Sequence, residues 1–277
     1  MPKKIRKAVI PIAGLGSRFL PVTKCVPKEM LPLFDRPVIE HIVRELADAG
    51  VEEIIFVVPP EGSITPNHFF RNPFLETELL KKGKPEIAAK IRELSTLVKI
   101  ATVVQQEPRG DGHAIFQAAD LVGNEDFFAF FGDEILDAEK SAAAQLLSAR
   151  DAENVGILGL QKIKKSETKK FGIVTPKEKN PEDIFEIVDF VEKPAPENAP
   201  SDLALVGKNI CPAEIFDALK SAKPGPDGEI RLIDAFSILQ KSGRKICGKV
   251  LRGARFDVGN PTGLLAASNF FAQKKKF

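Results

Sequence analysis

Residues 13–30 read AlaGlyLeuGlySerArgPheLeuProValThrLysCysValProLysGluMet. The glycine pair Gly14 and Gly16 follows the apolar run Ala8–Ala13, and such a turn commonly receives a phosphate because backbone N–H groups converge in it. Beyond Gly16 comes a proline-rich excursion in which Pro21, Pro27 and Pro32 restrict the backbone. It carries Arg18, Lys24 and Lys28 against one early acid, Glu29. Backbone that cradles and side chains that neutralise suit a polyphosphate; an ordinary surface turn with scattered charges is the competing reading. Phe19 occupies the third glycine position of a dinucleotide GlyXGlyXXGly turn, and no GlyXXXXGlyLys(Ser/Thr) loop is present. A close helix–strand crossing around a dinucleotide is therefore not what this loop is built for.

Three further constellations carry chemistry. The run Phe127–Phe131 ends in GlyAspGlu at residues 132–134, and a carboxylate just past the C-terminal end of a parallel strand lies where open α/β sheets bind ligands. Asp133 suits Mg²⁺, a hard cation that takes oxygen ligands, and Asp257 in ArgPheAspValGlyAsn is a candidate second carboxylate. A turn or helix-capping aspartate is the alternative. The loop GlnGlnGluProArgGlyAspGly (105–112) offers Gln105, whose amide both donates and accepts and so matches a pyrimidine edge. ValGluLysPro (191–194) sets Glu192, able to accept from sugar hydroxyls, beside Lys193, able to meet a phosphate; an exposed ion pair is the plainer reading. Together, two aspartates and a Gly/Arg/Lys loop suit transfer of a phosphorus group better than binding alone. His41, His68 and His113 read as structural.

The elements that must hold these residues alternate in the first half. Strands are expected at Ala8–Ala13, Ile54–Val58, Ile100–Val104 and Phe127–Phe131. Helices are expected at Val38–Ala49, Glu76–Lys82, Pro85–Leu94 and from about His113 to Leu121. This alternation predicts parallel βαβ units with helices on both faces of one sheet. In the second half, strands are expected at Val155–Leu160, Leu203–Ile210 and Lys249–Leu251, and helices at Ala213–Leu219, Leu232–Lys241 and Pro261–Gln273. The charged stretch from Lys162 to Asn198 predicts short strands and a hairpin. No linker or repeat divides the chain, so one domain is expected over 1–277, its second half elaborating the sheet and ending in a helix. The lysines near the end read as a solvated tail.

Bulk properties narrow the class. Forty basic and 38 acidic side chains leave a formal net charge of +2 over 277 residues, which marks neither a nucleic-acid nor a membrane partner. Three widely spaced cysteines exclude a disulfide framework or a Cys-based zinc site and suit a reducing cytoplasm. The chain has 20 Phe but no Tyr or Trp, so no phenol or indole hydrogen bond is available to any site.

With these motifs in hand, GlyLeuGlySerArgPheLeuProValThrLysCysValProLysGluMetLeuPro resembles the signature of the bacterial UTP–glucose-1-phosphate uridylyltransferases, or UDP-glucose pyrophosphorylases, within the sugar-nucleotidyltransferase superfamily. The resemblance continues in family order through AsnHisPhe (67–69), GlyHisAla (112–114), GlyAspGlu (132–134), PheGlyIleVal (171–174), ValGluLysPro (191–194), GlyGluIleArgLeuIleAsp (228–234) and ArgPheAspValGlyAsn. It implies an α/β, Rossmann-like nucleotide-diphospho-sugar transferase fold with a central mixed, mostly parallel sheet flanked by helices, divided into a nucleotide-binding half, 1–135, and a sugar-phosphate-binding half, 136–277. It also implies a cytoplasmic, Mg²⁺-dependent homo-oligomer making UDP-glucose and pyrophosphate from UTP and glucose 1-phosphate. On that resemblance Ala13, Gly14, Leu15, Gly16 and Ser17 hold the nucleotide, Arg18 binds the departing phosphates, and Lys28 sits over the α-phosphate. Gln105 and the Gly110 backbone read the uracil edge, Asp133 and Asp257 hold Mg²⁺, and Gly172, Glu192 and Lys193 seat the sugar phosphate. Arg18, Lys28 and Asp133 are thereby the expected catalytic residues. A thymidylyltransferase or other nucleotidyltransferase, and a sugar-nucleotide sensor without turnover, remain the alternatives. Several positions depart from the family pattern: Ser17, Cys25 (expected buried), Asp111 beside the base, Glu134 beside the metal, and Phe171, Asn209 and Ile233 around the sugar.

Overall fold

The computed structural model describes residues 3–151, 155–178 and 183–274. Its first half runs β1 (Lys7–Pro11), the short β2 (Pro32–Leu33) and β3 (Arg36–Pro37), α1 (Val38–Asp48), β4 (Glu53–Val58), α2 (Pro73–Lys81), α3 (Pro85–Leu94), β5 (Lys99–Val104), α4 (Asp111–Phe116), α5 (Ala119–Val122) and β6 (Phe127–Phe130). There follow β7 (Glu134–Asp137), α6 (Ala142–Ser148), β8 (Gly156–Lys162), β9 (Gly172–Pro176), β10 (Ile184–Glu192) and β11 (Leu203–Cys211). The chain closes with α7 (Ile215–Ser221), α8 (Leu232–Lys241), β12 (Ile246–Val250), β13 (Ala254–Asp257) and α9 (Pro261–Lys274).

Among the described residues, nine strands form one sheet in the order β5-β4-β1-β6-β11-β8-β12-β10-β9. The first four are parallel neighbours. Beyond β6 the pairings are antiparallel, except for β8 with β12. The chain starts at β1, steps outward to β4 and β5, then returns to the other side of β1 as β6. That reversal opens a crevice beyond the C-terminal ends of β1 and β6, the place where open α/β sheets take ligands.

Strand alternation divides the apolar side chains into two layers. Ala8 and Ile10 of β1, Ile54 and Phe56 of β4, and Phe128 and Phe130 of β6 pack with Ile42 and Leu46 of α1 and Leu146 of α6. Val9, Ile55, Val57, Phe127 and Ala129 face the opposite layer, with Ile115 of α4, Ile215 of α7 and Phe236 of α8. Strands buried on both faces have to be continuous apolar runs, which is why they were legible. Each large side chain so buried contributes about 1.5–3 kcal/mol.

The differences from expectation are local. The helix expected from His113 to Leu121 is two short ones, α4 and α5, interrupted at Gln117–Ala118. β7, α6 and β13 were not anticipated. The strand expected at Lys249–Leu251 begins earlier, at Ile246. The hairpin expected between Lys162 and Asn198 is the β9–β10 pair, with residues 179–182 of its connection outside the described residues. Of the terminal lysines, Lys274 is not simply solvated, since it donates to both carboxylate oxygens of Asp137 at 2.7 and 2.8 Å. Lys275 and Lys276 lie outside the described residues. Among the described residues, no helix is long and apolar enough to cross a membrane.

Candidate active site

The loop after β1 closes on itself at Gly16. Its φ of 60° is left-handed, which favours glycine, and a Cβ there would stand a tight 3.0 Å from Thr23 Cγ2. The Thr23 hydroxyl donates to the Gly16 carbonyl at 2.9 Å and ties the turn to the excursion that follows. Three short 3₁₀ turns, Ser17–Phe19, Val22–Lys24 and Lys28–Met30, then carry the chain to β2. Leu15, Ser17 and Arg18 are exposed on this loop. Cys25 is exposed too, against the expectation of a buried thiol, because the turn carrying it stands off the core.

Lys28 swings back from the third of these turns to the end of β6, where its Nζ donates to Asp133 Oδ2 at 2.5 Å. Behind it lies Glu29, buried, with Oε1 3.9 Å from the ammonium and without a hydrogen-bond partner among the described residues. Burial alone would lower the Lys28 pKa, but the charges of Asp133 and Glu29 outweigh it and hold the ammonium above its ordinary value; the nearby Arg18 charge opposes them. Burial pushes the Glu29 carboxyl up to about 7, against the pull of Lys28.

A two-stranded ladder completes this corner. β13 pairs antiparallel with β7, Asp257 opposite Glu134, and the Val258 N–H donates to the Asp133 carbonyl at 2.9 Å. A Cβ on Gly259 would meet Asp133 Oδ2 at 2.5 Å and Asp257 Oδ1 at 3.1 Å, so the two carboxylates converge on a space that a side chain would fill. Two hard oxygen donors beside a phosphate loop fit Mg²⁺, which is characteristically held by one or two carboxylates plus phosphates and water. Among the described residues, no group of three or more His, Cys, Asp or Glu could hold a metal. Glu134 is not turned to this space. Arg255 grips it through two N–H groups at 2.8 and 2.6 Å, making it a support of the ladder.

At the end of β5, Gln105 is buried, and its Nε2 donates to the Gly110 carbonyl at 3.1 Å. Gly110 has a φ of 99°, and a Cβ there would lie 2.5 Å from the Ile230 carbonyl oxygen, so only glycine lets this loop lie against the start of α8. Asp111 serves the same junction, accepting the Leu232 N–H at 2.9 Å. Burial pushes its carboxyl up to about 6, the Leu232 and Gly112 N–H groups acting against that rise. The carboxylate that departs from the family pattern beside the base is thus occupied in joining α4 to α8.

The opposite end of the site is built on the β9–β10 hairpin. Glu192 stands across the ladder from Gly172, and the next residue, Lys193, takes a left-handed φ of 45°. Its N–H donates to the Phe171 carbonyl at 3.1 Å, and its ammonium lies 3.0 Å from Glu192 Oε1. Arg231 approaches the same oxygen at 3.8 Å. Arg255 lies over the Phe171 ring, 4.9 Å from its centroid, in place of any hydroxyl contact.

One cavity of about 700 Å³ joins both ends. Every site candidate lines it, from the Ala13–Arg18 loop through Lys28, Gln105, Gly110 and Asp133 to Gly172, Glu192, Lys193 and Asp257, and Lys24 alone of the early cations does not. Glu29 and Arg231 also line it and were missed as site residues, and Asn209, singled out only as a departure from the family pattern, lines it too. Glu29 had been counted only as a counter-charge; a carboxylate among so many apolar and proline residues was the available signal.

The chain matches the nucleotidyl transferase family over residues 7–274. It is 39% identical over 274 residues to a UTP–glucose-1-phosphate uridylyltransferase of Bacillus subtilis, covering 99% of this chain and 93% of that one. It is 40% identical to the enzyme of that name from Staphylococcus haemolyticus, over 98% of this chain and 94% of the relative. Among solved structures, a UTP-bound UGPase from Acinetobacter baumannii superposes with a TM-score of 0.90 at 33% identity, covering 98% of this chain and 94% of that chain. A UDP-glucose pyrophosphorylase complexed with UDP-glucose gives 0.87 at 32% identity, covering 98% and 100%. With its switch-point cavity, its phosphate loop and near-complete coverage by these relatives, the chain belongs to the nucleotidyl transferase family.

Proposed function

We propose that this protein transfers the uridylyl group of UTP to glucose 1-phosphate, releasing pyrophosphate. The observation that carries this reading is the single cavity: it sets Lys28 and Asp133 between a base-reading end at Gln105 and a hydroxyl- and phosphate-reading end at Glu192 and Lys193. The relatives named for this reaction support it.

The Ala13–Ser17 backbone cradles the triphosphate, and Arg18 neutralises the β- and γ-phosphates that leave. Lys28 passes from Asp133 to the α-phosphate, where charge builds as the new bond forms. Lys193 meets the sugar phosphate while Glu192 accepts from sugar hydroxyls, with Gly172 leaving room for the ring. The attacking phosphate oxygen is already ionised near neutral pH, so no general base is required. The chain's contribution is in-line placement and cancellation of repulsion between two anions. Asp133 and Asp257 would hold Mg²⁺, which when bound offsets charge on the α-phosphate.

This reading treats the described chain as one unit, with residues 1–135 serving the nucleotide and the remainder the sugar phosphate. It also places the enzyme in the cytoplasm as a homo-oligomer whose partners are small molecules, neither nucleic acid nor membrane. The near-neutral formal charge is what small-molecule partners call for. A panel of nucleoside triphosphates against sugar 1-phosphates, followed by pyrophosphate release, tests the function. Preferred turnover of UTP with glucose 1-phosphate is expected; preference for dTTP, or binding of UDP-glucose without turnover, overturns it.

A further inference from the structure

Gln105 has both amide protons committed before any ligand arrives. Its Nε2 lies 3.1 Å from the Gly110 carbonyl oxygen and 3.0 Å from Nδ1 of His113. A carbonyl oxygen only accepts, so the nitrogen of this amide, and not its oxygen, has to face Gly110. The second N–H then points at His113, whose Nδ1 is the unprotonated, accepting nitrogen. The ring's proton accordingly sits on Nε2. There the Gln117 Nε2 stands 3.2 Å away while donating to the His113 carbonyl at 3.1 Å; this amide is less buried than Gln105, and it accepts the ring proton only by giving up that carbonyl and turning its oxygen to the ring. Gln105 has no such freedom: it is 5% exposed, and turning it would set its oxygen against the Gly110 carbonyl. What the amide still offers to the cavity is Oε1, which only accepts.

We propose that His113 is the positioning residue for base selection: by accepting from Gln105 it locks that amide with its oxygen toward the base. This rests on the reading of Gln105 as the base contact. A site so locked takes a pyrimidine that donates at N3, as uracil and thymine do, and rejects one that accepts there, as cytosine does. The lock depends on a neutral imidazole. Burial and the Arg109 guanidinium hold the His113 pKa below its usual value, with Glu107 acting the other way. These are the charged groups that face the ring. From the α8 side the Ile230 carbonyl accepts its backbone N–H at 3.3 Å, and Gln105 and Gln117 face the ring as neutral amides. Protonation converts Nδ1 to a donor and opposes it to the Gln105 N–H, which pushes the amide off its Gly110 and His113 acceptors and its oxygen off the base.

The test is the ratio of kcat/KM for UTP to that for CTP, each with glucose 1-phosphate, between roughly pH 5 and pH 8. The two nucleotides carry the same phosphates, so phosphate titration cancels in the ratio. In the wild type the ratio is expected to fall as the pH drops below the ordinary histidine range. His113→Phe keeps a ring but removes the acceptor; it should lower the ratio about tenfold near neutral pH, with kcat for UTP little changed. His113→Asn returns an acceptor near the Nδ1 position; it should restore most of the ratio and abolish its pH dependence. A wild-type ratio in His113→Phe overturns the proposal. If that variant does not fold, an equal pH dependence in wild type and His113→Asn overturns it instead. Gln105→Ala separates the two layers. A wild-type ratio there defeats the base-contact reading, whereas a lowered ratio beside an unaffected His113→Phe defeats the positioning role alone.

Discussion

The two ends of the cavity use the same pair of residue types in opposite ways. At the nucleotide end the Lys28 and Asp133 side chains are 21% and 24% exposed, lie 2.5 Å apart and rest on the buried Glu29. At the sugar-phosphate end the Lys193 and Glu192 side chains are 56% and 33% exposed and lie 3.0 Å apart on neighbouring residues. Water screens the second pair more than the first, so on the proposed reading an ammonium of one charge would act more strongly on the reacting phosphorus than on the arriving sugar phosphate. The elements explain the difference. Lys28 and Asp133 meet beyond the ends of β1 and β6, strands buried on both faces, whereas Glu192 and Lys193 lie at the open end of the β9–β10 hairpin. On the proposed reading, one end would serve rate and the other capture.

The largest expected effect tests the buried end. Lys28→Ala should lower kcat by about 10²–10³, the range for losing one preorganised donor to developing charge. Its circular dichroism should match the wild type, and an unchanged rate would remove Lys28 from the chemistry. Next comes stability. The Glu29 carboxyl rises from 4.5 to about 7 on folding, so its stabilising contribution is complete below the unfolded value and is lost as the pH climbs through about 7. Over that interval the wild type should lose on the order of 3 kcal/mol relative to Glu29→Gln in denaturant titrations. Superposable pH profiles for the two proteins would show that Glu29 is not strained by its burial.

At the exposed end, Lys193→Ala should raise KM for glucose 1-phosphate about tenfold while kcat changes little, as expected for a charged contact discounted for solvent. A fall in kcat as large as that of Lys28→Ala would erase the distinction between the two ends. Smallest is Arg231→Gln, which loosens Glu192 from one of its two cations. A roughly twofold rise in the same KM is expected, and an effect exceeding that of Lys193→Ala would make Arg231 the main cation there.

Much of this arrangement was legible before the fold was known, for a physical reason. Asp133 and Lys193 follow strands, and Lys28 stands in the proline-rich excursion after β1, places where a charge has no use in the core, and the apolar runs of β1, β4 and β6 admitted little but doubly buried strands. What escaped was short or dependent on distant partners. β7 and β13 have four residues each and are stable only as each other's neighbour. α6 was announced by Ser141, whose hydroxyl accepts the Ala144 N–H, and its missed cap was a readable signal. The role of Asp111 in joining α4 to α8 could not be read, because its partner Leu232 lies far along the chain and no local pattern links them.

The β7–β13 ladder has a consequence for synthesis. A chain leaving the ribosome lays down the glycine loop, Lys28, Gln105, Asp133 and the β9–β10 hairpin before Asp257 exists. The early parallel strands can associate as they emerge, since domains gain structure during synthesis. The second carboxylate and the Val258 N–H that braces Asp133 arrive only with the last strand. A chain interrupted before Asp257 therefore has the early strands and Asp133 but neither the second carboxylate nor the N–H that braces the first.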